Sequence, residues 1–218
     1  MARCCVSECF GTFVLVFAGT GAVISNNVSG GAVTLPGIAF TFGLAVMAMV
    51  YALGDASGAH INPAVSIAFW LGGRMEAARA GAYVVSQCAG AILASLLLKY
   101  LFPPDALLGA TLPSGSALQS AVLEGVLTLM LMFVILSVCT GAKEKGITAA
   151  IAIGGVVALD ILFGGPISGA SMNPARSLGP ALVSGHLEHF WVYWAGPIVG
   201  ACAAVPLFRY VHAAICGT

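Results

Sequence analysis

Charged side chains are scarce in this sequence. Aspartate, glutamate, lysine and arginine make up only 7% of its 218 residues, and the formal net charge at pH 7 is zero. Soluble globular domains contain about 25% charged residues, so a soluble domain of this composition could not cover its surface with polar groups. The composition therefore excludes a soluble globular protein. Because the basic residues form no cluster either, nothing in the sequence indicates a nucleic-acid partner.

The sequence also lacks the patterns that mark metal or catalytic centres. Its seven cysteines and four histidines show no metal-ligand spacing, and no nucleophile is paired with a recognisable base. Most of the cysteines lie in apolar runs, where we interpret them as small buried hydrophobic side chains. We therefore expect no bound metal, no cofactor and no enzymatic activity.

Hydrophobic runs, by contrast, fill the chain, which has 60% hydrophobic residues and a mean hydropathy of +1.02. A helix needs about 20 apolar residues to cross the hydrocarbon core of a bilayer. Two apolar stretches, 62–71 and 173–183, would cross only about half of that core at ~1.5 Å per residue. The sequence predicts an all-α integral membrane protein with two such re-entrant half-helices and six membrane-spanning helices at 7–24, 36–54, 79–102, 119–139, 147–163 and 190–212.

One polar phrase occurs twice in the chain. SGAHINPAVS at 57–66 and SGASMNPARS at 168–177 agree at seven of ten positions. Each copy follows two predicted spans and precedes a third, so each half contains three spans and one half-span. Because three is odd, the second copy enters the membrane in the opposite orientation, as in the inverted repeats of many transport proteins. We interpret 1–218 as a single channel domain built from repeats at about 1–102 and 117–218.

A second match between the halves supports the repeat. Glu8 and Thr12 lie early in the first predicted span, and Glu124 and Thr128 lie early in the fourth, with the same spacing of four. Chance similarity between apolar helices does not explain a polar ten-residue match that is in register with a pair of glutamates.

Both phrases contain Asn-Pro-Ala, which is a helix start signal. Asparagine is a favoured N-cap residue, and proline is favoured at the first helical position, where its missing N–H costs nothing. As a cap, each asparagine uses its side-chain oxygen and leaves its NH₂ group free to donate. Two short helices that start face to face would offer a solute these donors and roughly half a positive charge from each helix start. The pattern predicts a pore that passes neutral solutes and excludes protons and cations. The residues predicted to form it are Asn62, Pro63, Ala64, Asn173, Pro174 and Ala175.

An arginine occurs in only one of the two phrases. Arg176 lies about one turn into the second short helix, where the first phrase has Val65. An arginine within the membrane is functional by default because its burial is expensive, although this side chain can also extend towards the interface. We expect the guanidinium to line the outer part of the pore, where it donates hydrogen bonds and repels cations.

Basic residues are distributed unevenly over the predicted topology. Only Lys99 and Arg176 lie towards one side. By the positive-inside rule, the excess on the other side places both termini in the cytoplasm of a multi-pass cell-membrane protein. The residues on that side are Arg3, Arg74, Arg79, Lys143, Lys145 and Arg209.

The doubled phrase, the paired glutamates and the six-plus-two plan resemble the major intrinsic protein family of aquaporins and glycerol facilitators. VTLPGIAFTFGLAVMAMVYALG and GPISGASMNPARSLGPALVSG are most similar to nodulin-like intrinsic proteins and their bacterial relatives, some of which pass glycerol, ammonia or neutral metalloid hydroxides besides water. The resemblance implies a homotetramer with one pore per subunit. It also implies that Glu8 and Glu124 hold backbone N–H groups of the half-helix loops.

The family's outer constriction is a ring of four residues, and the resemblance places Phe42, Ile161, Ala170 and Arg176 there. Strict water channels have a histidine where Ile161 stands and often a cysteine where Ala170 stands, so this ring lacks a donor and is expected to be wider. The sequence nevertheless favours water as the solute, with glycerol, metalloid hydroxides or ammonia as the alternative. The positions that match water channels are Ser177, Ala181, Tyr193 and Trp194.

Two other function classes stay open from the residues alone. A proton-coupled secondary transporter can be built from inverted repeats, and its titratable site would have to come from Glu8, Glu124 or Asp160. A non-conducting structural protein would leave reconstituted vesicles no more permeable than empty ones. A passive channel is the main hypothesis because it alone explains the capped half-helices together with the single arginine.

Overall fold

The computed structural model describes residues 1–102, 107–140 and 143–212, without the side chains of 143–147. In these residues the chain forms eight helices and no strands. In chain order they are α1 (Ala2–Val28), α2 (Thr34–Ser57), α3 (Pro63–Leu71), α4 (Ala77–Leu101), α5 (Ala117–Val138), α6 (Lys143–Ser168), α7 (Pro174–Ser184) and α8 (Val192–Val211).

Six of the described helices are long and apolar enough to cross a membrane, which confirms the predicted all-α membrane fold. These helices, α1, α2, α4, α5, α6 and α8, correspond one for one to the predicted spans. Some extend further than predicted, since α1 starts at Ala2 and α6 continues past Pro166 to Ser168. The apolar stretch marks only the part of a helix that lies in hydrocarbon. The short helices α3 and α7 begin and end within one residue of the predicted half-spans.

The two short helices end at opposite ends of the bundle. α3 ends at Leu71, close in the chain to the start of α4 at Ala77. α7 ends near the other end of α4, where Lys99 Nζ donates a hydrogen bond to the carbonyl oxygen of Val183 at 3.0 Å. α4 has 25 residues, so at ~1.5 Å per residue it separates these two ends by more than the hydrocarbon thickness of a bilayer.

Glycine residues allow the long helices to approach closely. α1 packs against α4, α2 against α6, and α5 against α8. A Cβ atom at Gly200 of α8 would overlap the carbonyl of Gly125 on α5, and one at Gly43 of α2 would lie 2.6 Å from the carbonyl oxygen of Gly154 on α6. Because lipid tails are as apolar as leucine, membrane helices associate through such close packing. In this bundle, α3 packs against α4 and α8, and α7 packs against α1 and α4.

Candidate functional site

The starts of α3 and α7 have the same capped geometry. Asn62 has extended backbone angles (φ −156°, ψ 121°), and its Oδ1 accepts a hydrogen bond from the backbone N–H of Ala64 at 2.9 Å. Asn173 has φ −145° and ψ 107°, and its Oδ1 accepts from the N–H groups of Ala175 at 3.0 Å and Arg176 at 3.2 Å. The Asn-Pro-Ala sequence thus starts both helices by the same local interaction.

The two helix starts are also joined to each other by reciprocal hydrogen bonds. Asn62 Nδ2 donates to the carbonyl oxygen of Met172, and Asn173 Nδ2 donates to the carbonyl oxygen of Ile61, both at 2.8 Å. The sequence predicts that each NH₂ group is free to donate to a solute, which is wrong for one of its two hydrogens. Loop carbonyls in the membrane interior need a donor, and the opposite asparagine supplies it.

The loops that lead into α3 and α7 have the same unusual backbone. Three residues in each loop adopt positive φ, and two of the three carry side chains. Such conformations cost of order 1–3 kcal/mol each for residues other than glycine, so the surrounding structure must hold them in place. The positions and φ values are Gly58 (92°), Ala59 (45°) and Ile61 (44°) in the first loop, and Gly169 (87°), Ala170 (42°) and Met172 (54°) in the second.

The carboxylate of Glu8 on α1 binds the first of these loops. Its Oε1 accepts hydrogen bonds from the N–H of His60 at 3.0 Å and the hydroxyl of Ser57 at 2.7 Å. Its Oε2 accepts from the N–H of Ile61 at 2.7 Å and from Gln87 Nε2 at 2.8 Å. Glu8 is fully buried, so these four donors take the place of water around the charge.

Glu124 on α5 binds the second loop in the same way. Its Oε1 accepts from the hydroxyl of Ser168 at 2.7 Å and the N–H of Ser171 at 2.9 Å, and its Oε2 accepts from the N–H of Met172 at 2.7 Å. This carboxylate is also fully buried. Each half of the molecule therefore supports its strained loop with one intramembrane glutamate.

Sequence reasoning missed the contacts by which two serines and two tyrosines complete these two clusters. Tyr83 donates a hydrogen bond to the carbonyl oxygen of Ser57, and Tyr193 donates to that of Ser168, both at 2.7 Å. A signal was present, because Ser57 and Ser168 open the two repeated phrases and the tyrosines follow them by 26 and 25 positions.

One cavity of about 750 Å³ runs along the helix starts. It passes both capping asparagines and is lined on that side by the polar loops before α3 and α7. The remaining wall is largely aliphatic. The aliphatic residues include Leu15, Val46, Val65, Leu131, Ile153 and Val157, and the far end from Arg176 is lined by Tyr51, Asp55 and Cys139.

Three of the four predicted filter residues meet at the other end of the cavity. Phe42, Ile161 and Arg176 line it there, and each exposes only 4% of its surface. The Arg176 guanidinium carbon lies 5.0 Å from the centroid of the Phe42 ring, and its Nη1 donates to the carbonyl oxygen of Gly109 at 2.9 Å. Ala170 is buried but does not line the cavity, and its methyl group lies beside Gly164 of α6.

The loop before α5 also contributes to the site. Besides the Gly109 carbonyl, it supplies Thr111, whose hydroxyl lies 2.7 Å from that of Ser177 on α7. Ser177 in turn lies 2.6 Å from the hydroxyl of Ser171. This chain of hydroxyl groups fastens the start of α7 to the loop that holds Arg176.

Comparison with known proteins agrees with this geometry. The family model for the major intrinsic protein matches residues 1–208. The chain is 51% identical to Aquaporin NIP1-1 of Zea mays, covering 95% of this chain and 74% of that protein, and 47% identical to Aquaporin NIP1-2 of Arabidopsis thaliana, covering 95% and 73%. The X-ray structure of the aquaglyceroporin from Plasmodium falciparum matches with a TM-score of 0.85 at 27% identity, covering 98% of both chains. With two capped half-helices meeting beside one cavity, the chain belongs to the major intrinsic protein family, a family of membrane channels.

Proposed function

We propose that the chain forms a passive pore that conducts water, admits neutral polar solutes of about glycerol size, and excludes protons and ions. The proposal rests on the side-chain amides of Asn62 and Asn173. Each donates to a carbonyl of the loop before the opposite short helix, and both residues line the cavity. The relatives named as aquaporins and the matched aquaglyceroporin structure support the same class of solute.

The helix starts suit the oxygen atom of a neutral solute. An amide NH₂ group has two hydrogens, and the reciprocal bonds use one from each asparagine. The second hydrogen of each can point into the lumen, where both can bind the oxygen of one water molecule. That water then directs its own hydrogens away along the pore. Since each helix start adds roughly half a positive charge, this place opposes both cation entry and a continuous proton wire.

The constriction combines a strong donor with apolar walls. Arg176 offers N–H groups on one side, whereas Phe42 and Ile161 offer only hydrocarbon surface. A polyol matches such a site because its hydroxyl groups can accept from the guanidinium while its C–H groups contact the ring. Ala170, the fourth residue of the proposed ring, leaves room because it presents no side chain to the lumen. We therefore expect this filter to admit more than water.

Ions are excluded by two separate effects. Cations are repelled by the Arg176 guanidinium and by the positive helix starts. Anions are attracted by that charge, but the largely aliphatic wall cannot replace their hydration shell, and removing an ion from water costs far more than removing a neutral molecule. A neutral solute avoids both penalties.

Secondary transport fits these contacts less well. The carboxylates of Glu8 and Glu124 are occupied by the donors of the two loops, and Asp160 does not line the cavity. None of the three candidate titratable groups thus faces the solute path. A passive pore needs none of them to titrate.

The assembly and orientation are part of the same proposal. Arg209 donates to the carbonyl oxygen of Gly72 at 2.8 Å, and Arg74 donates to Thr140 Oγ1 at 2.9 Å, so both arginines lie at the end of the bundle where α3 ends. The positive-inside rule makes this the cytoplasmic end, with both termini there. We further propose a homotetramer in the cell membrane with one pore per subunit, on the basis of family membership, and an inverted relation between the two repeats.

Stopped-flow light scattering on proteoliposomes tests the solute range. Vesicles with the protein should shrink faster than empty liposomes under an impermeant osmolyte, and they should re-swell quickly when the osmolyte is glycerol. Ile161→His, which adds a polar ring to the constriction, should preserve shrinkage and slow re-swelling. Fast shrinkage without re-swelling in the unmodified protein would contradict the permissive filter, and shrinkage no faster than in empty liposomes would contradict a channel.

A further inference from the structure

We propose that Gly19 on α1 is a specificity-determining position, because it sets how far the Phe42 ring withdraws from the filter. The proposal rests on the function proposed above, in which Phe42 lines the constriction. Gly19 touches no solute and acts through the ring, so it is a positioning residue.

The Phe42 ring lies directly on the backbone of Gly19. Gly19 is buried within α1. A Cβ atom added there would overlap the Cδ1, Cε1 and Cζ atoms of the Phe42 ring. Any side chain larger than hydrogen at this position is therefore incompatible with the present position of the ring.

Two neighbours bound the Phe42 ring, α1 at Gly19 and the Arg176 guanidinium. On one side it meets α1, which packs against α2. On the other side lies the Arg176 guanidinium, 5.0 Å from the ring centroid and held by the Gly109 carbonyl. A methyl group at position 19 would thus push the ring towards the guanidinium and the lumen, by on the order of 1 Å if normal carbon–carbon contact distances are to be restored.

Such a shift discriminates between solutes by their size. Water is a single heavy atom, whereas glycerol fills the lumen with its carbon chain and needs the apolar face of the ring at van der Waals distance. Moving the ring inward therefore affects glycerol-sized polyols more than water. The absence of a side chain at Gly19 therefore makes the filter wide enough for a polyol.

The test is Gly19→Ala, assayed for water and for a size series of urea, glycerol and erythritol in proteoliposomes. Because the displaced ring narrows the lumen, glycerol permeability should fall about tenfold, with water permeability reduced much less. Gly81→Ala is the matched control, since a Cβ at Gly81 of α4 meets nothing within 4 Å. It should leave both permeabilities unchanged.

The double variant Gly19→Ala/Phe42→Leu distinguishes ring displacement from general damage. Trimming the ring should restore glycerol permeability to at least its original value if the ring is what narrows the pore. The proposal is overturned if Gly19→Ala leaves glycerol flux intact, or if water and glycerol fall in parallel and Phe42→Leu restores neither. If the unmodified protein passes only water, the proposed solute range is wrong. In that case the role of Gly19 is supported if Gly19→Ala lowers water permeability and the added Phe42→Leu restores it. Any other result contradicts that role.

Discussion

Replacing Glu8 with alanine should abolish water conduction and strongly destabilise the protein. The substitution leaves the N–H groups of His60 and Ile61, the Ser57 hydroxyl and the Gln87 amide without their acceptor. Each unsatisfied buried donor costs about 1–3 kcal/mol, so the sum is comparable with the whole stability of a typical protein, about 5–15 kcal/mol. Thermal unfolding in detergent and the osmotic response of proteoliposomes would measure the two effects.

Glu76→Ala is the appropriate control for the lost charge. Glu76 is exposed at the start of α4, and its side chain makes no capping hydrogen bond. This variant should behave as the unmodified protein in both measurements. The role assigned to Glu8 would be wrong if Glu8→Ala retained the original melting temperature and water permeability.

Replacing Arg176 with valine should make the pore leak protons and small cations while water still passes. A unit charge at about 5 Å adds about 1 kcal/mol to the barrier for a cation in bulk water and about 3 kcal/mol at an effective dielectric constant of 20. The leak should therefore rise about tenfold or more. Valine fits a half-helix at this place, since Val65 stands there in the first phrase. A pH-sensitive dye inside proteoliposomes, with a potassium diffusion potential, would measure the leak.

Two further variants separate the charge from other effects of the substitution. Arg176→Lys retains the positive charge and should keep the leak low. Arg74→Val removes an exposed arginine at the other end of the bundle, where it donates to Thr140. This variant should also keep the proton and cation leak low. If Arg176→Val vesicles hold a proton gradient as well as the unmodified protein, the arginine does not contribute to cation exclusion.

The helix starts at Asn62 and Asn173 could be predicted because an N-cap depends on residues that are neighbours in the chain. The oxygen of each asparagine bonds to an N–H two positions on, and proline at the first helical position is already set for a helix. The six spans could be predicted for a similar reason, since crossing hydrocarbon requires a continuous apolar stretch. Both signals can be read from short windows of sequence.

The partners that complete the site could not be predicted, because they join distant parts of the chain through groups that every residue carries. Asn62 bonds to the carbonyl of Met172, 110 positions away, and Arg176 bonds to that of Gly109, 67 positions away. Nothing distinguishes one backbone carbonyl from another in a sequence. The expectation that the asparagine NH₂ groups would be wholly free was wrong for this reason.

The faces of the helices that line the cavity were also hidden in the sequence. Val157 of α6 lines the cavity, whereas Leu159, two residues further on, has 51% of its surface exposed on the outside of the bundle. Both are aliphatic, because positions that face lipid and positions that line this cavity both favour apolar side chains. A soluble helix would show its buried face through polar residues on the other side, and these helices have few such residues.

The path beside Asn62 and Asn173 should carry neutral molecules and interrupt proton transfer. The most direct test measures osmotic water flux and proton flux in the same preparation of proteoliposomes, with empty liposomes as the reference. Water flux should lie well above that of empty liposomes, with proton flux no greater than theirs. Water flux accompanied by rapid collapse of a pH gradient, or no added water flux from correctly folded protein, would contradict it.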